Sequence, residues 1–316
     1  MATYIVRRLV QGVLILFLLS LMLFALVRSV PRDTMLRQLA QAAALSPEEL
    51  ASAQQELGLE RPFWPQYATW LGRLLQGDLG HSLTSKQPVR QELGTRLPLT
   101  LHLACLAFLL AVLLAMPLGL LAAVWPDTVS DYLGRLFALI GLVCPDFWLG
   151  TLAVTVLALW WRWTPPAGFV PLWDEPWRCL SQLLLPAVII AWRLTAVLMR
   201  LTRTVLLEVL SADYIRTARA KGLQAWGIVF KHGCSNAWPA LLPLISRQCP
   251  VLLGSALLIE VIFALPGVGS LTLDAAMLRD YTLLQGSVLC CAGAMVGVRL
   301  LAEISAACLD PRWRWR

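Results

Sequence analysis

Ser211-Ala212-Asp213-Tyr214-Ile215-Arg216-Thr217-Ala218-Arg219-Ala220-Lys221-Gly222 reads as a short, basic, self-capped helix set between two long apolar segments. Ser211 is a favourable N-cap. Asp213 falls in the first turn, where a negative charge complements the helix dipole, and Arg219 and Lys221 fall in the last turn before Gly222 stops it. Start, stop and polarity predict one helix of about three turns. A chain that lives in a bilayer has little reason to build such an element in water unless something docks on it.

The surrounding composition supplies the bilayer. Hydrophobic residues make up 58% of the 316 residues, charged residues 14%, and mean hydropathy is +0.69, which excludes an ordinary soluble domain. Apolar windows of about 20 residues, long enough to cross roughly 30 Å of hydrocarbon, give six predicted spans. They centre on Leu9–Val27, Leu99–Val124, Leu133–Leu159, Leu183–Leu201, Leu241–Phe263 and Leu283–Cys308. The first follows Arg7 and Arg8 with no small-residue cleavage pattern after it, and reads as a retained anchor. The eight cysteines mostly fall inside apolar runs and form no CxxC pair, so they read as small hydrophobes, not a disulfide framework or zinc site. The net charge of +7 follows from cations flanking the spans and calls for no nucleic acid partner.

The Lys and Arg distribution sets the orientation. One side carries Arg7, Arg8, Arg200, Arg203, Arg216, Arg219, Lys221, Lys231, Arg312, Arg314 and Arg316, whereas the short loops opposite carry only Arg162, Arg178 and Arg279. Both termini and the basic helix are therefore expected in the cytoplasm. The loop from Val30 to Pro98, with seven cations and seven acids, is too long for the rule to weigh. It is organised nonetheless. Ser46-Pro47-Glu48-Glu49 is a capping box opening a helix to about Gly58, and Phe63, Tyr67, Trp70, Leu71 and Leu74 recur at helical spacing before Gly77-Asp78-Leu79-Gly80. An external cap packed by aromatics is expected, either to stabilise the first span or to receive substrate. The Trp- and Pro-rich loop from Trp160 to Trp177 suits an interfacial belt. The resulting division is an anchor helix at 1–30, an external helical cap loop at 31–98, a five-helix core at 99–308 that includes a cytoplasmic loop at 202–238, and a cytoplasmic tail at 309–316.

No Walker A, HExxH, GxSxG or dinucleotide-type glycine pattern is present, so energy for any work must arrive from a partner or an ion gradient. His81, His102 and His232 are too scattered to suggest a metal site. Charges inside spans cost roughly 2.5–3.5 kcal/mol each on insertion scales and must face a partner or a watery path. Asp146, Arg193, Arg247, Glu260, Arg299 and Glu303 are such residues. Arg247 and Glu260 share the fifth predicted span about 140° apart, so each needs a counterpart elsewhere. Buried pairs that fix helix packing and direct contact with substrate are the two readings. After Phe263, Ala264-Leu265-Pro266-Gly267-Val268-Gly269 breaks the span, and Leu271, Ala275 and Leu278 mark a short helix, either a gate at the outer mouth or an ordinary turn.

Taken together, these motifs resemble the permease subunits of binding-protein-dependent ABC importers in the dipeptide, oligopeptide and nickel group. The resemblance is carried by Asp213 to Gly222 followed by Lys231-His232, Asn236-Ala237 and Pro243. Gly77 to Ser82 with Pro88-Val89, and Pro145-Asp146-Phe147-Trp148-Leu149, add to it. So do Glu260 to Phe263 with Pro266 to Gly269, Arg279-Asp280-Tyr281, and Leu309-Asp310-Pro311-Arg312, in family order along nearly the whole chain.

The resemblance implies an all-α membrane protein of six spans with the type I importer permease fold and a helical periplasmic loop between spans 1 and 2. It places the chain in the inner membrane. Asp213, Tyr214, Ile215, Arg216, Thr217, Ala218, Arg219, Lys221 and Gly222 become the ATPase-coupling helix, with Tyr214, Ile215 and Ala218 as an apolar stripe for the ATPase groove and the cations at its rim. The general importer pattern has Glu-Ala-Ala before the glycine; here Arg216-Thr217-Ala218 stands in that place, and the distance from Gly222 to Pro243 is longer. Asp146, Arg247, Glu260, Pro266, Gly267 and Gly269 are the pathway and gating candidates. The implied partners are a second homologous permease, two ATP-binding subunits and an external solute-binding protein. ATP and magnesium belong to the partners, and no cofactor or metal is expected on this chain. The substrate is a peptide, nickel or a nickel chelate; Pro145 to Leu149 and the Tyr67 to Trp70 region lean towards the nickel members. The alternative class, an ion-gradient-driven secondary transporter, would use the intramembrane acids as relays and show a repeated half, and no repeat is visible. An intramembrane enzyme would need a catalytic dyad at membrane depth, and none is recognisable.

Overall fold

The computed structural model describes residues 2–29, 62–166, 168–170 and 173–309. The predicted helix opened by Ser46-Pro47-Glu48-Glu49 and the tail beyond Leu309 lie outside them. The described residues are helical almost throughout: α1 (Ala2–Arg28), α2 (Phe63–Leu75), α3 (Val89–Val124), α4 (Val129–Val143), α5 (Asp146–Trp161) and α6 (Pro176–Ser211). Next come α7 (Asp213–Ala220), α8 (Ala225–Gly227), a π-helical stretch at Ile228–Cys234, α9 (Ser235–Ser246), α10 (Cys249–Ile262), α11 (Val268–Met277) and α12 (Tyr281–Leu309).

Among the described residues, four helices are long and apolar enough to cross a membrane, within Ile5–Arg28, Val89–Val124, Pro176–Ser211 and Tyr281–Ser305. The other two predicted spans are not single rods. The expected third span is broken at Cys144-Pro145, where α4 and α5 meet at 97°; Pro145 has no N–H to continue a helix and forces its predecessor out of the helical region. The expected fifth span bends by 46° at Arg247-Gln248, between α9 and α10. Arg247 and Glu260 therefore do not share one straight helix, and the angle expected between them does not hold. Counting each bent pair as one span gives six.

The chain folds as two compact units, one of Met1–Ile5, Leu99–Pro266 and Met295–Arg316, the other of Val6–Pro98 and Gly267–Ala294. In the first, α6 is the central helix. Of its apolar window 67% is buried, against 28%, 33% and 11% for the other three long helices. Small residues let its neighbours approach, as in membrane bundles generally. A Cβ on Gly119 of α3 would lie 2.8 Å from the Met199 carbonyl oxygen and 2.7 Å from Thr202 Cβ; on Gly141 of α4 it would meet Trp192 at 2.7 Å. Ala107, Ala111 and Ala115 of α3 are fully buried in the same core. Arg299 and Glu303, both expected inside the last span, pair with each other one turn apart on α12, at 3.0 Å.

In the second unit, α2 packs on α1 through rings: Phe24 lies 5.4 Å from Phe63, 5.5 Å from Tyr67 and 5.3 Å from Trp70. The Tyr67 hydroxyl and Ser20 Oγ share a hydrogen bond of 2.9 Å, which satisfies two polar atoms in an apolar contact. Gly77 and Gly80 both have left-handed backbone (φ +81° and +80°), and the Asp78 carboxylate accepts from the Gly80 N–H at 2.9 Å. That turn delivers Ser82, whose hydroxyl donates to the buried Asp280 at 2.6 Å, while the Thr84 N–H reaches the same oxygen at 3.1 Å. The other Asp280 oxygen accepts from the Leu283 N–H at 3.0 Å and caps α12. Gly77 to Ser82 and Arg279 to Tyr281 thus form one joint, although nearly 200 residues separate them.

Replacing Gly119 with leucine should cost on the order of 1–3 kcal/mol through overpacking against the α6 backbone, read as a lower midpoint of thermal unfolding in detergent. Gly72→Ala, where a Cβ meets nothing within 4 Å, should be neutral or slightly stabilising.

Candidate functional site

The basic helix is rooted directly on the central one. α6 runs on to Ser211, the chain turns once through Ala212 in extended conformation (φ −66°, ψ 151°), and α7 begins at Asp213. Ser211 is therefore not the N-cap: it is the last residue of α6, and its hydroxyl donates to the Glu208 carbonyl at 2.8 Å. The cap position belongs to Ala212. With Ser211 taken by α6, α7 has eight residues, little more than two turns instead of three.

The stop is as expected and its geometry explains why glycine is needed. Gly222 has φ +75°. Its N–H donates to the Arg219 carbonyl at 3.0 Å, and the Leu223 N–H reaches back to the Ala218 carbonyl at 3.4 Å. These two bonds are the Schellman closure, which requires a left-handed residue just past the helix end. Arg219 lies in the last turn and Lys221 in the cap position.

The expected apolar stripe divides. Ile215 is completely buried within this chain and Ala218 is half-buried, so both anchor α7 inward. Tyr214 stays exposed, and its hydroxyl accepts from Asn236 Nδ2 at 3.3 Å. The same nitrogen donates to the His232 carbonyl at 2.8 Å, in the π-helical stretch. The outward face of α7 is Asp213, Tyr214, Arg216, Thr217 and Arg219, and the exposed Arg216–Asp213 pair at 3.5 Å adds little stability.

Beside this face lies a groove of ≈ 580 Å³, lined by Trp125, Pro126, Leu207, Leu210, Arg219 and Leu223 among others. Trp125 meets Trp226 edge to face at 5.8 Å, and Trp226 stacks on Phe230 at 5.8 Å. All three rings are exposed. Apolar surface of this kind next to charged side chains is typical of a docking site. The aromatic trio was not singled out in the sequence, because about 100 residues, from α4 through α7, separate Trp125 from the other two; only Trp226 and Phe230, four apart, carry a local signal.

A carboxylate also missed in the sequence holds this end together. Asp131, in the first turn of α4, is fully buried and accepts from two of the three guanidinium nitrogens of Arg203 on α6, Nε at 2.8 Å and Nη2 at 2.9 Å. Arg135 bonds the same carboxylate and bridges to Asp127 at 2.9 Å. Forked pairing of this kind fixes orientation as well as distance. The Asp127, Asp131, Arg135 spacing of four was the available signal.

The pathway candidates do not form one cluster. Asp146 opens α5 and is buried, with one oxygen accepting from Ser255 at 2.6 Å. It shares a cavity of ≈ 180 Å³ with Arg193, Gln248, Ser255 and apolar neighbours. Arg247 is the exposed residue at the α9 to α10 bend. Glu260 is fully buried at the far end of α10, outside that cavity's lining. Pro266 closes the first unit, whereas Gly267 caps α11 and Gly269 lies buried within it in the second. Among the described residues no three His, Cys, Asp or Glu side chains converge on a possible metal site.

Residues 115–315 match the family of binding-protein-dependent transport system inner membrane components, and residues 1–104 match that family's N-terminal region. The chain belongs to this family. As a member it is a permease component of an ABC importer and a multi-pass membrane protein, associated with a solute-binding protein and ATPase subunits. Its relatives include a putative peptide transport system permease protein of Brucella abortus (strain 2308), 36% identical over 100% of both chains. The dipeptide transport system permease protein of Escherichia coli (strain K12) is 34% identical and the oligopeptide transport system permease protein of Bacillus subtilis (strain 168) 35% identical, each over 99% of both chains.

Asp131→Asn should strip Arg203 of its charged partner and destabilise the permease by about 3 kcal/mol, the scale for breaking a buried pair. Thermal unfolding should show that loss, and Asp127→Asn, at the exposed end of the network, should change the midpoint little.

Proposed function

We propose that this chain is one half of the translocation pathway of an ATP-driven peptide importer, paired with a second permease and driven by two ATPase subunits. The two termini and α7 lie in the cytoplasm, in keeping with the cation distribution. The observation that carries the coupling role is the rigid root of α7. The helix is closed by the Gly222 turn, anchored inward by Ile215, and joined through a single extended residue to the central helix α6. A push on its outward face is thereby transmitted to the bundle core as a rigid-body displacement.

Peptide as the substrate rests on the relatives, three of which belong to peptide, dipeptide and oligopeptide transport systems; none of those three is a nickel system. ATP and magnesium reside on the ATPase subunits. In this reading Tyr214, Arg216, Thr217 and Arg219 contact the ATPase, Trp125, Trp226 and Phe230 extend that contact, and Ile215 and Ala218 hold the helix in place.

Gly222→Pro and Ala218→Asp test the coupling role. Proline cannot adopt φ +75°, and an aspartate at the half-buried Ala218 introduces a charge beneath α7. Both variants should insert and assemble, yet lower binding-protein-dependent uptake by tenfold or more in proteoliposomes while ATP hydrolysis continues. Normal uptake by both at normal expression contradicts the assignment.

A further inference from the structure

Both interruptions of otherwise span-length helices open on the same small cavity. Asp146 enters it from the first residue after the Pro145 break, and Gln248 from the α9 to α10 bend. Arg193 reaches it from halfway along α6. Irregular backbone at membrane depth is tolerated where it lines a cavity, and discontinuous helices commonly frame binding sites.

The charges here are incompletely satisfied. Asp146 Oδ2 takes the Ser255 hydroxyl, but Oδ1 is buried and has no hydrogen-bond partner among the described residues. Arg193 approaches that carboxylate only at 4.0 Å, beyond hydrogen-bond length, and about half of its side chain, 48%, is exposed. A guanidinium offers five donors in a planar fork that matches a carboxylate. An ionised guanidinium within a membrane-spanning helix is costly unless it meets a partner or a watery path. Arg247, exposed at the bend, lies outside the lining, so Arg193 and Asp146 are the charged side chains of the cavity.

We propose that this cavity is a subsite for the terminal carboxylate of a peptide in transit, with Arg193 as its ligand and Asp146 as the residue that positions Arg193. The proposal rests on the peptide-importer reading above. The volume, ≈ 180 Å³, accepts a carboxylate and its nearest atoms and is too small for a whole oligopeptide, which fits a contact to the one group that all linear peptides share. Asp146 holds the guanidinium by charge at a distance that leaves its donors free, and Ser255 fixes the carboxylate's orientation.

The test uses the assembled complex in proteoliposomes with its binding protein, at saturating dialanine or dialanine amide. Because wild type and variant share one binding protein, its own preference cancels in the ratio of acid to amide uptake. Arg193→Gln should lower uptake of the acid on the order of tenfold, as expected for one charge-assisted contact. It should leave the amide within about twofold, and Arg193→Lys should restore much of the acid uptake. An equal fall for both probes, at normal assembly and binding-protein-stimulated ATP hydrolysis, overturns the subsite and assigns Arg193 to packing. Unchanged acid uptake overturns it as well. Failure of the wild-type complex to take up dialanine with ATP would instead remove the peptide reading, and the subsite with it.

Discussion

Close approach of helices around α6 is the constraint on which the first unit depends. In hydrocarbon, helices gain little from burying apolar side chains against each other, so backbone proximity and packing supply the attraction. Gly119, Gly134 and Gly141 provide the clearance, and the Met199 and Trp192 side chains and the Met199 carbonyl occupy it. Once α6 is fixed, three functional features are fixed with it: Arg193 in the polar cavity, Arg203 in the Asp131 clamp, and the take-off point of α7 at Ser211. One rod thus links the region proposed to meet substrate with the region proposed to meet the motor.

Polar side chains then set the joints that packing alone leaves loose. Asp131 ties α4 to α6 at the end where α7 departs, and Asp280 ties the Ser82 turn to the start of α12. Each is a buried carboxylate with several donors converging on it, which is the condition under which a buried charge is tolerated. Asp146 is different. Its second oxygen and the neighbouring guanidinium are left short of partners, and that incompleteness separates a site from a joint.

Much of this was legible along the chain. The apolar windows and the glycine after Lys221 are local signals, and among the described residues helices do form at all six predicted spans. The helical spacing of Phe63, Tyr67 and Trp70 became α2. What failed, failed for identifiable reasons. Hydropathy averages over a window and is blind to a single Pro145, so the 97° break went unseen. Ser211 satisfied the rule for an N-cap, but the continuing α6 claimed it because adding one more residue to an established helix is easier than starting another. Ile215 looked available to a partner because its apolar character says only that it will be buried, not by what.

By itself the sequence determined that the chain is a helical membrane protein with a short basic helix stopped by Gly222, because span length and a left-handed stop are written in neighbouring residues. Only the tertiary structure decided which face of α7 remains outward. It also decided that Asp131 meets Arg203 from 72 positions away, and that Asp146, Arg193, Gln248 and Ser255 share one cavity. Those contacts join residues far apart in the chain, and their partners are chosen by how closely the helices can approach, which no local pattern encodes.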